Sequence, residues 1–324
     1  MNPVNPARSV RTTAILMLIV ANVLWALSFP LVKALVLVHE RLMPGTGNWF
    51  IVAGTVGPRM LLATLLLLVV LWRRLGTFTR AELRQGLVIG LGTGAGMLLQ
   101  NDGLQFTSAS VSAFLTPFYA ILIPLWLACR RRRWPSLLVC ACSALVLAGV
   151  AILGRFDLAT LRLGRGEAET LLSSVFFMTA ILALAQPRYA ANRALPVTLV
   201  MFAVQALLFG GLAVATAPSA AALLVPWTSG PWVLFTGLLT VGCTLIAFGL
   251  MNHWQPKITP TEAGLLYCLE PVAAAIFALF LPAHLSALAG VDYPNERLTW
   301  HLLAGGGLIT AANLALQSRP GKDA

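Results

Sequence analysis

The sequence predicts an all-α integral membrane protein in which ten transmembrane helices form two inverted five-helix repeats, with both termini in the cytoplasm. The first observation is composition: 58% of the residues are hydrophobic, only 10% are charged, and the mean hydropathy is +0.84. A chain of this composition has too few polar residues to cover the surface of a soluble domain. The second is a recurring apolar stretch of about 17 to 26 residues, the length a helix needs to cross a hydrocarbon core about 30 Å thick. The third is the distribution of basic residues.

The ten apolar stretches divide the chain with short polar connections between them. The first follows two arginines, as a signal peptide would, but its apolar part is too long and no cleavage site follows promptly, so we expect it to be retained. The predicted spans are residues 13–38, 49–72, 85–105, 108–128, 135–154, 170–186, 196–216, 231–253, 262–281 and 299–317.

Connections that are rich in lysine and arginine alternate along the chain with connections that are poor in them. With a cytoplasmic N-terminus, 15 of the 22 basic residues lie on the cytoplasmic side, five lie on the other side, and two lie within spans. Cytoplasmic loops are enriched in basic residues, so this bias predicts the orientation. The net charge of +11 therefore reports topology, and we expect no nucleic-acid partner. The predicted location is the cell membrane, inner or plasma.

The two halves of the chain match at an offset of 154 residues, which aligns "FLTPFYAI" with "CLEPVAAA" and Pro117 with Pro271. Because each half holds an odd number of spans, the second half enters the membrane from the opposite side, which makes an inverted repeat. The predicted organisation is a cytoplasmic tail (1–12), a first repeat (13–154), a connecting loop (155–169), a second repeat (170–317) and a C-terminal tail (318–324).

Five stretches along the chain resemble one known family. They are "WALSFPLVK" (25–33), "GPRMLLATLLLL" (57–68), "GLQFTSASVSAFLTPFYAILIPL" (103–125), "TEAGLLYCLEPVAAAIF" (261–277) and "NERLTWHLLAGGGLI" (295–309). In order and spacing they are similar to the drug/metabolite transporter superfamily, in particular its ten-helix EamA-type branch. The chain departs from that pattern in its longer loop at 282–295, in Asn101-Asp102, and in lacking an acidic residue beside the arginines at 130–133.

The resemblance implies an alternating-access carrier of small metabolites, commonly an exporter, with a cavity lined by helices one, three, four, six, eight and nine. Amino acids or related amphipathic compounds are the expected substrates, and proton coupling is one hypothesis for the energy source. A multidrug or other metabolite permease, a passive facilitator, and a channel or sensor stay open as alternatives. An intramembrane enzyme is disfavoured, because the sequence holds no G-x-S-x-G, no paired intramembrane aspartates and no histidine cluster.

Glu270 stands near the middle of the ninth predicted span. A charge there costs about 2.5 to 3.5 kcal/mol on insertion scales, so an intramembrane acid normally faces a cavity or a partner. Glu270 is therefore a candidate to bind a proton or a cationic group of a substrate. The alternative is a carboxyl that fastens its helix to a neighbour.

Other polar and aromatic residues in spans are candidates for the substrate site, with interhelical hydrogen bonding as the alternative role. Prolines remove a helical hydrogen bond and bend their helices, so they are candidate hinges or kinks. The substrate or proton candidates beside Glu270 are Tyr267, Thr116, Ser112, Trp25, Asn22, Asn101 and Asn252, and the hinge candidates are Pro30, Pro117 and Pro271.

No cofactor or metal site is expected. The string "GLGTGAG" (90–96) lacks the Lys-Ser/Thr of a phosphate loop, and its Gly90/Gly94 and Gly92/Gly96 pairs have the spacing for close helix packing. The cysteines and histidines do not have the spacing of a zinc site. The expected partners are a small-molecule substrate and the lipid bilayer, and the oligomeric state stays open.

Overall fold

The structure, a computed structural model, describes residues 6–103, 106, 115–153 and 164–318. All regular secondary structure in these ranges is helical. The main helices are α1 (Pro6–Leu42), α2 (Asn48–Leu71), α3 (Arg80–Gly103), α4 (Tyr119–Arg131), α5 (Leu137–Leu153), α6 (Arg165–Leu184), α7 (Ala194–Thr216), α8 (Gly230–Leu238), α9 (Ala247–Trp254), α10 (Pro260–Tyr267), α11 (Glu270–Ala278), α12 (Leu281–Ala289) and α13 (Trp300–Ser318). A π-helical segment, Leu239–Ile246, joins α8 to α9.

Six helical stretches of the described chain are long and apolar enough to cross a membrane. They are Ser9–Leu42, Asn48–Thr77, Arg165–Leu184, Ala194–Thr216, Gly230–Lys257 and Pro260–Ala278, and two shorter apolar helices cover Leu137–Ile152 and Trp300–Leu316. The chain is thus a multi-pass membrane protein. Of the two other predicted spans, the third coincides with the glycine-rich α3, and the fourth includes residues 108–114, which lie outside the described part.

Many large apolar side chains lie on the outside of the molecule, and the mainly apolar interior contains buried polar groups. Leu207 on α7 and Val69 on α2 are 77% and 72% exposed. By contrast, Gln205 and Gln255 are fully buried. Lipid covers large apolar side chains without cost, whereas polar groups must find partners inside the protein, so this arrangement fits a bilayer as solvent.

Glycines bring α3 close to both α6 and α7. A Cβ added at Gly86 would lie 2.6 Å from the Val200 Cβ of α7, and one added at Gly90 would lie 3.0 Å from the carbonyl oxygen of Met201. On another face of α3, a Cβ at Gly92 would lie 2.9 Å from Thr179 Oγ1 of α6. Without side chains at these positions, the backbones approach each other as the glycine spacing predicts.

The predicted ninth span is broken into α10 and α11. Cys268 and Leu269 donate backbone hydrogen bonds to Leu265 and Leu266, three residues earlier, and α11 then begins at Glu270 with Pro271 in its first turn. Proline lacks an N–H group and its ring displaces the carbonyl four residues earlier, so a continuous helix ends here. The span predicted at 262–281 is found as the stretch Pro260–Ala278, and within it the helix divides into two shorter helices.

The other two candidate hinge prolines have different surroundings. Pro117 lies in a short 3₁₀ turn, Thr116–Phe118, directly before α4 begins. Pro30 lies inside α1, which continues on both sides of it without interruption. The two prolines matched by the 154-residue offset thus both lie in the first turn of a helical segment, whereas Pro30 does not.

The long connection after the ninth span is partly helical, which differs from the loop expected at 282–295. It contains α12, which ends where Gly290 takes a left-handed conformation with φ of +66°. Arg41 Nη1 from the end of α1 donates to the carbonyl oxygens of Ala289, at 3.2 Å, and Gly290, at 2.8 Å. A basic group at these unpaired terminal carbonyls stabilises the helix end.

Ion pairs lie at both ends of the helices. The face at which α1 begins is called the amino face, and the face at which α1 ends is called the far face. On the amino face, Arg11 binds Glu262, with 3.1 Å between Nε and Oε1, and Arg193 Nε lies 2.7 Å from Glu82 Oε1. On the far face, Arg165 Nη2 lies 2.6 Å from Asp102 Oδ2.

The ion pair between Glu82 and Arg193 should be sensitive to acid. Hydrogen bonds from the Arg193 side chain lower the pKa of Glu82 from 4.5 to about 2, although burial opposes the shift. A carboxyl with a lowered pKa contributes stability that is present above its ordinary pKa and is lost as pH falls toward the lower value. We expect the melting temperature of the wild type in detergent to fall between about pH 4.5 and 2. Glu82→Gln should lower it already at pH 7 and flatten the acid dependence.

The control for this prediction is Glu296→Gln, which alters an exposed glutamate outside the main helices. Its melting curve should follow the wild type at every pH. Equal acid profiles for the wild type and Glu82→Gln would contradict the assignment of this contact.

Candidate functional site

Four aromatic side chains meet in the interior between α1, α7, α9 and α10. The ring of Trp25 lies edge-on to Phe248 and to Tyr267, with centroid distances of 5.1 and 5.6 Å. Phe202 contacts Phe248 at 6.0 Å with an interplanar angle of 88°. We call these four residues the aromatic cluster. Such edge-to-face contacts are a favourable arrangement of aromatic quadrupoles, so they hold the rings in fixed orientations.

A chain of buried hydrogen bonds anchors one side of the aromatic cluster. The Tyr267 hydroxyl donates to Gln255 Oε1 at 2.7 Å, and Gln255 Nε2 donates to the backbone oxygen of Ile181 on α6 at 2.8 Å. Gln255 is fully buried, so both of its polar groups need these partners. The Tyr267 ring is therefore fixed at both ends, by its hydroxyl and by Trp25.

Asn252 forms a second polar anchor one helical turn after Phe248. Its Nδ2 donates to Thr198 Oγ1 on α7 at 2.8 Å and contacts Met201 Sδ at 3.7 Å. Asn252 is only 4% exposed. This contact fixes the amide, and its oxygen is left for another donor.

Three buried polar atoms beside the aromatic cluster have no hydrogen-bond partner among the described residues. They are Trp25 Nε1, Asn22 Oδ1 and Asn252 Oδ1. The amide nitrogen of Asn22 is used, since it donates to the Leu18 carbonyl at 2.7 Å. An unpaired buried polar group costs about 1 to 3 kcal/mol, so one donor and two acceptors here are suited to a bound solute.

Glu270 lies beside this group, just beyond the break between α10 and α11. It follows Tyr267 by three residues, and α11 packs against α1, the helix that carries Trp25. The residue is half-buried, and no hydrogen bond or ion pair of its carboxyl is found within the described residues. A carboxyl group is thus placed next to the aromatic cluster without a fixed partner.

The other candidates from the sequence lie on α3 and before α4. Thr116 Oγ1 accepts a 2.9 Å hydrogen bond from Gln100 Nε2, and Asn101 Nδ2 donates to the Met97 carbonyl at 2.6 Å. Both contacts tie side chains to neighbouring backbone or helices. Ser112 lies outside the described residues.

Sequence reasoning missed Phe202, Phe248, Thr198 and Gln255, which complete the group around Trp25. A signal for Gln255 exists, because an uncharged amide at the end of an apolar span needs a partner inside the protein. The two phenylalanines give no such signal, since most phenylalanines in a membrane protein face lipid or core. Within the described ranges, no group of three or more His, Cys, Asp and Glu side chains is arranged to hold a metal ion.

Comparison with known proteins supports the fold and the family. A solved structure, named only "Crystal structure of protein", superposes with a TM-score of 0.67 at 17% sequence identity and covers 94% of this chain and 96% of that chain. At this identity the likeness shows the fold alone, but it extends over both halves. A comparison with curated proteins gives no match. The model of the EamA-like transporter family matches residues 12–155. The match lies in the first half of the chain and confirms the resemblance to this family that its motifs predict.

Proposed function

We propose that this protein is a secondary transporter that exports small amphipathic metabolites, such as amino acids, by alternating access. The observation that carries the proposal is the group around Trp25. Fixed aromatic faces lie close to one donor and two acceptors that have no partner among the described residues, and the half-buried Glu270 carboxyl follows Tyr267 by three residues. Transport of small molecules is the activity that the family match suggests.

The chemistry of this group matches an amphipathic solute with a cationic end. The aromatic faces of Trp25 and Tyr267 contact apolar carbon and attract an ammonium group. Trp25 Nε1 donates to a solute oxygen, and Asn252 Oδ1 accepts from a solute N–H. The Glu270 carboxyl takes either an ammonium group or a proton, so one residue is able to exchange solute for proton.

The helix contacts support the proposed ten-helix inverted repeat. The contacts of α2 with α7 and of α5 with α13 join helices that the repeat makes equivalent. In this repeat α1 corresponds to α6, α2 to α7, and α3 to the stretch from α8 to α9. The contact of α3 with α6 then corresponds to that of α1 with α8 and α9. The contact of α3 with α7 corresponds to that of α2 with the π-helical segment. Exchanging the halves therefore maps these contacts onto one another.

Two ion pairs are suited to gate opposite faces. Arg165 follows Arg11 by 154 residues, the same offset that aligns Pro117 with Pro271. Arg11 closes the amino face through Glu262, and Arg165 closes the far face through Asp102. In an alternating-access cycle one of these pairs opens while the other stays closed.

Solute counterflow tests the proposed function. Purified protein in liposomes should exchange a labelled amino acid from a panel in a saturable manner, and unlabelled solute inside should accelerate uptake. Ion passage without saturation or counterflow would instead identify a channel, and no exchange of any amphipathic metabolite would overturn the proposed substrate class.

The gate on the amino face is tested with Cys268, a fully buried native thiol two residues before Glu270. In a variant that keeps only this cysteine, we expect Arg11→Gln to raise its rate of reaction with a membrane-impermeant maleimide. A partly exposed ion pair contributes up to about 1 kcal/mol, which corresponds to about fivefold in the open population. The measurement is the labelling rate from each side of the membrane.

A charge-swapped variant, Arg11→Glu with Glu262→Arg, should restore the slow labelling rate. Arg80→Gln, which removes an exposed cation on the same face, is the matched control and should have no effect. Fast labelling in the swapped variant, or in the control, would contradict the gate.

A further inference from the structure

A cavity of about 400 Å³ opens on the amino face between the end of α2, the beginning of α7 and the end of α9. Four of its lining side chains are basic or imidazole groups, namely Arg74, Arg193, His253 and Lys257. No aspartate or glutamate is among its described lining residues. Half of the eight polar side chains on its wall are therefore basic or imidazole groups.

The charge of this cavity is only partly compensated. Glu82 neutralises Arg193 through two side-chain hydrogen bonds, of 2.7 and 2.9 Å. Arg74 and Lys257 line the cavity and are exposed, and neither has a carboxylate partner among the described residues. Two positive charges are thus left for a mobile anion.

Neutral donors converge on the same space. The helix α7 begins here without a side-chain cap, and its first amides, at Ala194 and Leu195, have no partner within the helix. Such a helix start attracts negative charge. Tyr189 also lines the wall, is 5% exposed, and has a hydroxyl with no hydrogen-bond partner in the described structure. An unpaired buried hydroxyl is an independent sign that a ligand completes the site.

We propose that this cavity binds a phosphate-type oxyanion, carried either by the headgroup of an anionic phospholipid or by a soluble phosphomonoester. Two exposed cations, backbone amides and a phenolic hydroxyl all line this cavity, and a tetrahedral anion has several oxygens that accept from such donors. A volume of about 400 Å³ exceeds the needs of a bare phosphate, so it has room for an esterified group. The site is distinct from the aromatic cluster, although Asn252 borders both.

The experiment uses the full chain in nanodiscs of phosphatidylcholine. Inorganic phosphate and glycerol 3-phosphate are titrated into this sample, and the melting temperature of the protein and the heat of binding are measured. A second set of nanodiscs contains phosphatidylglycerol. We expect saturable stabilisation of the wild type. The double variant Arg74→Gln/Lys257→Gln should bind about 25-fold more weakly, because each basic side chain at a membrane surface contributes about fivefold. Tyr189→Phe should weaken binding to a smaller extent.

The control is Arg80→Gln, which removes a cation of the same face outside the cavity wall and should bind like the wild type. Stabilisation only by phosphatidylglycerol assigns the site to lipid, and stabilisation by glycerol 3-phosphate in phosphatidylcholine assigns it to a soluble ligand. Equal effects of chloride and phosphate, equal losses in Arg80→Gln and the double variant, or no stabilisation at all would overturn the proposal. No solute gradient is involved, so the result does not depend on the transport proposal.

Discussion

Glu270→Gln is expected to abolish uphill transport driven by a pH gradient while leaving solute exchange at equal pH in place. Glutamine keeps the size and hydrogen-bonding capacity of the side chain but is unable to carry a proton. A gradient of one pH unit drives at most about tenfold accumulation per coupled proton, because one pH unit corresponds to about 1.4 kcal/mol. The variant should lose this accumulation entirely.

The measurement compares labelled solute in liposomes with and without a pH gradient. Glu40→Gln is the matched control, because Glu40 is an exposed glutamate on α1, and it should accumulate solute like the wild type. Elution volume and helical content show that the variants are folded. Unchanged accumulation, pH dependence and substrate range in Glu270→Gln would leave the carboxyl as a fastener of α11. Equal transport by the wild type before and after the gradient collapses would identify a passive facilitator.

Gly86→Ala is expected to destabilise the protein more than a substitution at any glycine with open space around it. The added Cβ would lie 2.6 Å from Val200 Cβ and 2.8 Å from the Val197 carbonyl oxygen, so α3 and α7 would have to separate. Overpacking of this kind costs about 1 to 3 kcal/mol. The measurement is the free energy of unfolding, or the melting temperature, in detergent.

Gly211→Ala is the control for this substitution, because Gly211 lies on α7 and a Cβ there would meet nothing within 4 Å. Alanine favours a helix over glycine by about 1 kcal/mol, so this variant should be as stable as the wild type or more stable. Val200→Ala in the Gly86→Ala background should restore stability only partly, since the Val200 Cβ and the Val197 carbonyl both stay. Equal melting of Gly86→Ala and Gly211→Ala would contradict the packing described for α3.

The sequence predicts the membrane class and several interior residues because those signals are local. Trp25, Asn252 and Tyr267 are notable as polar or aromatic groups inside apolar stretches, and the structure places all three in or beside one cluster. Glycine spacing likewise predicts the close approach of α3 to its neighbours. These properties need only the residue type and its distance from the span ends.

Contacts between distant parts of the chain were beyond the sequence pattern. Arg11 and Glu262 are 251 residues apart, and neither position alone indicates its partner. Pro271 predicts a bend, but whether a helix bends or divides depends on packing by neighbours, here α1 against α11. The helix α12 was missed because its nine residues are too few for a span.

The π-helical segment Leu239–Ile246 also determines how the site is oriented. A π turn holds about one more residue than an α turn, so each added residue rotates all later side chains by about 100° around the helix axis. Phe248, Asn252 and Gln255 all follow this segment and owe their direction to it. If one of the wide turns were lost, Phe248, Asn252 and Gln255 would rotate together by about 100° around the helix axis. The orientation of the aromatic ring and of both amides is therefore set by the winding of the backbone before them.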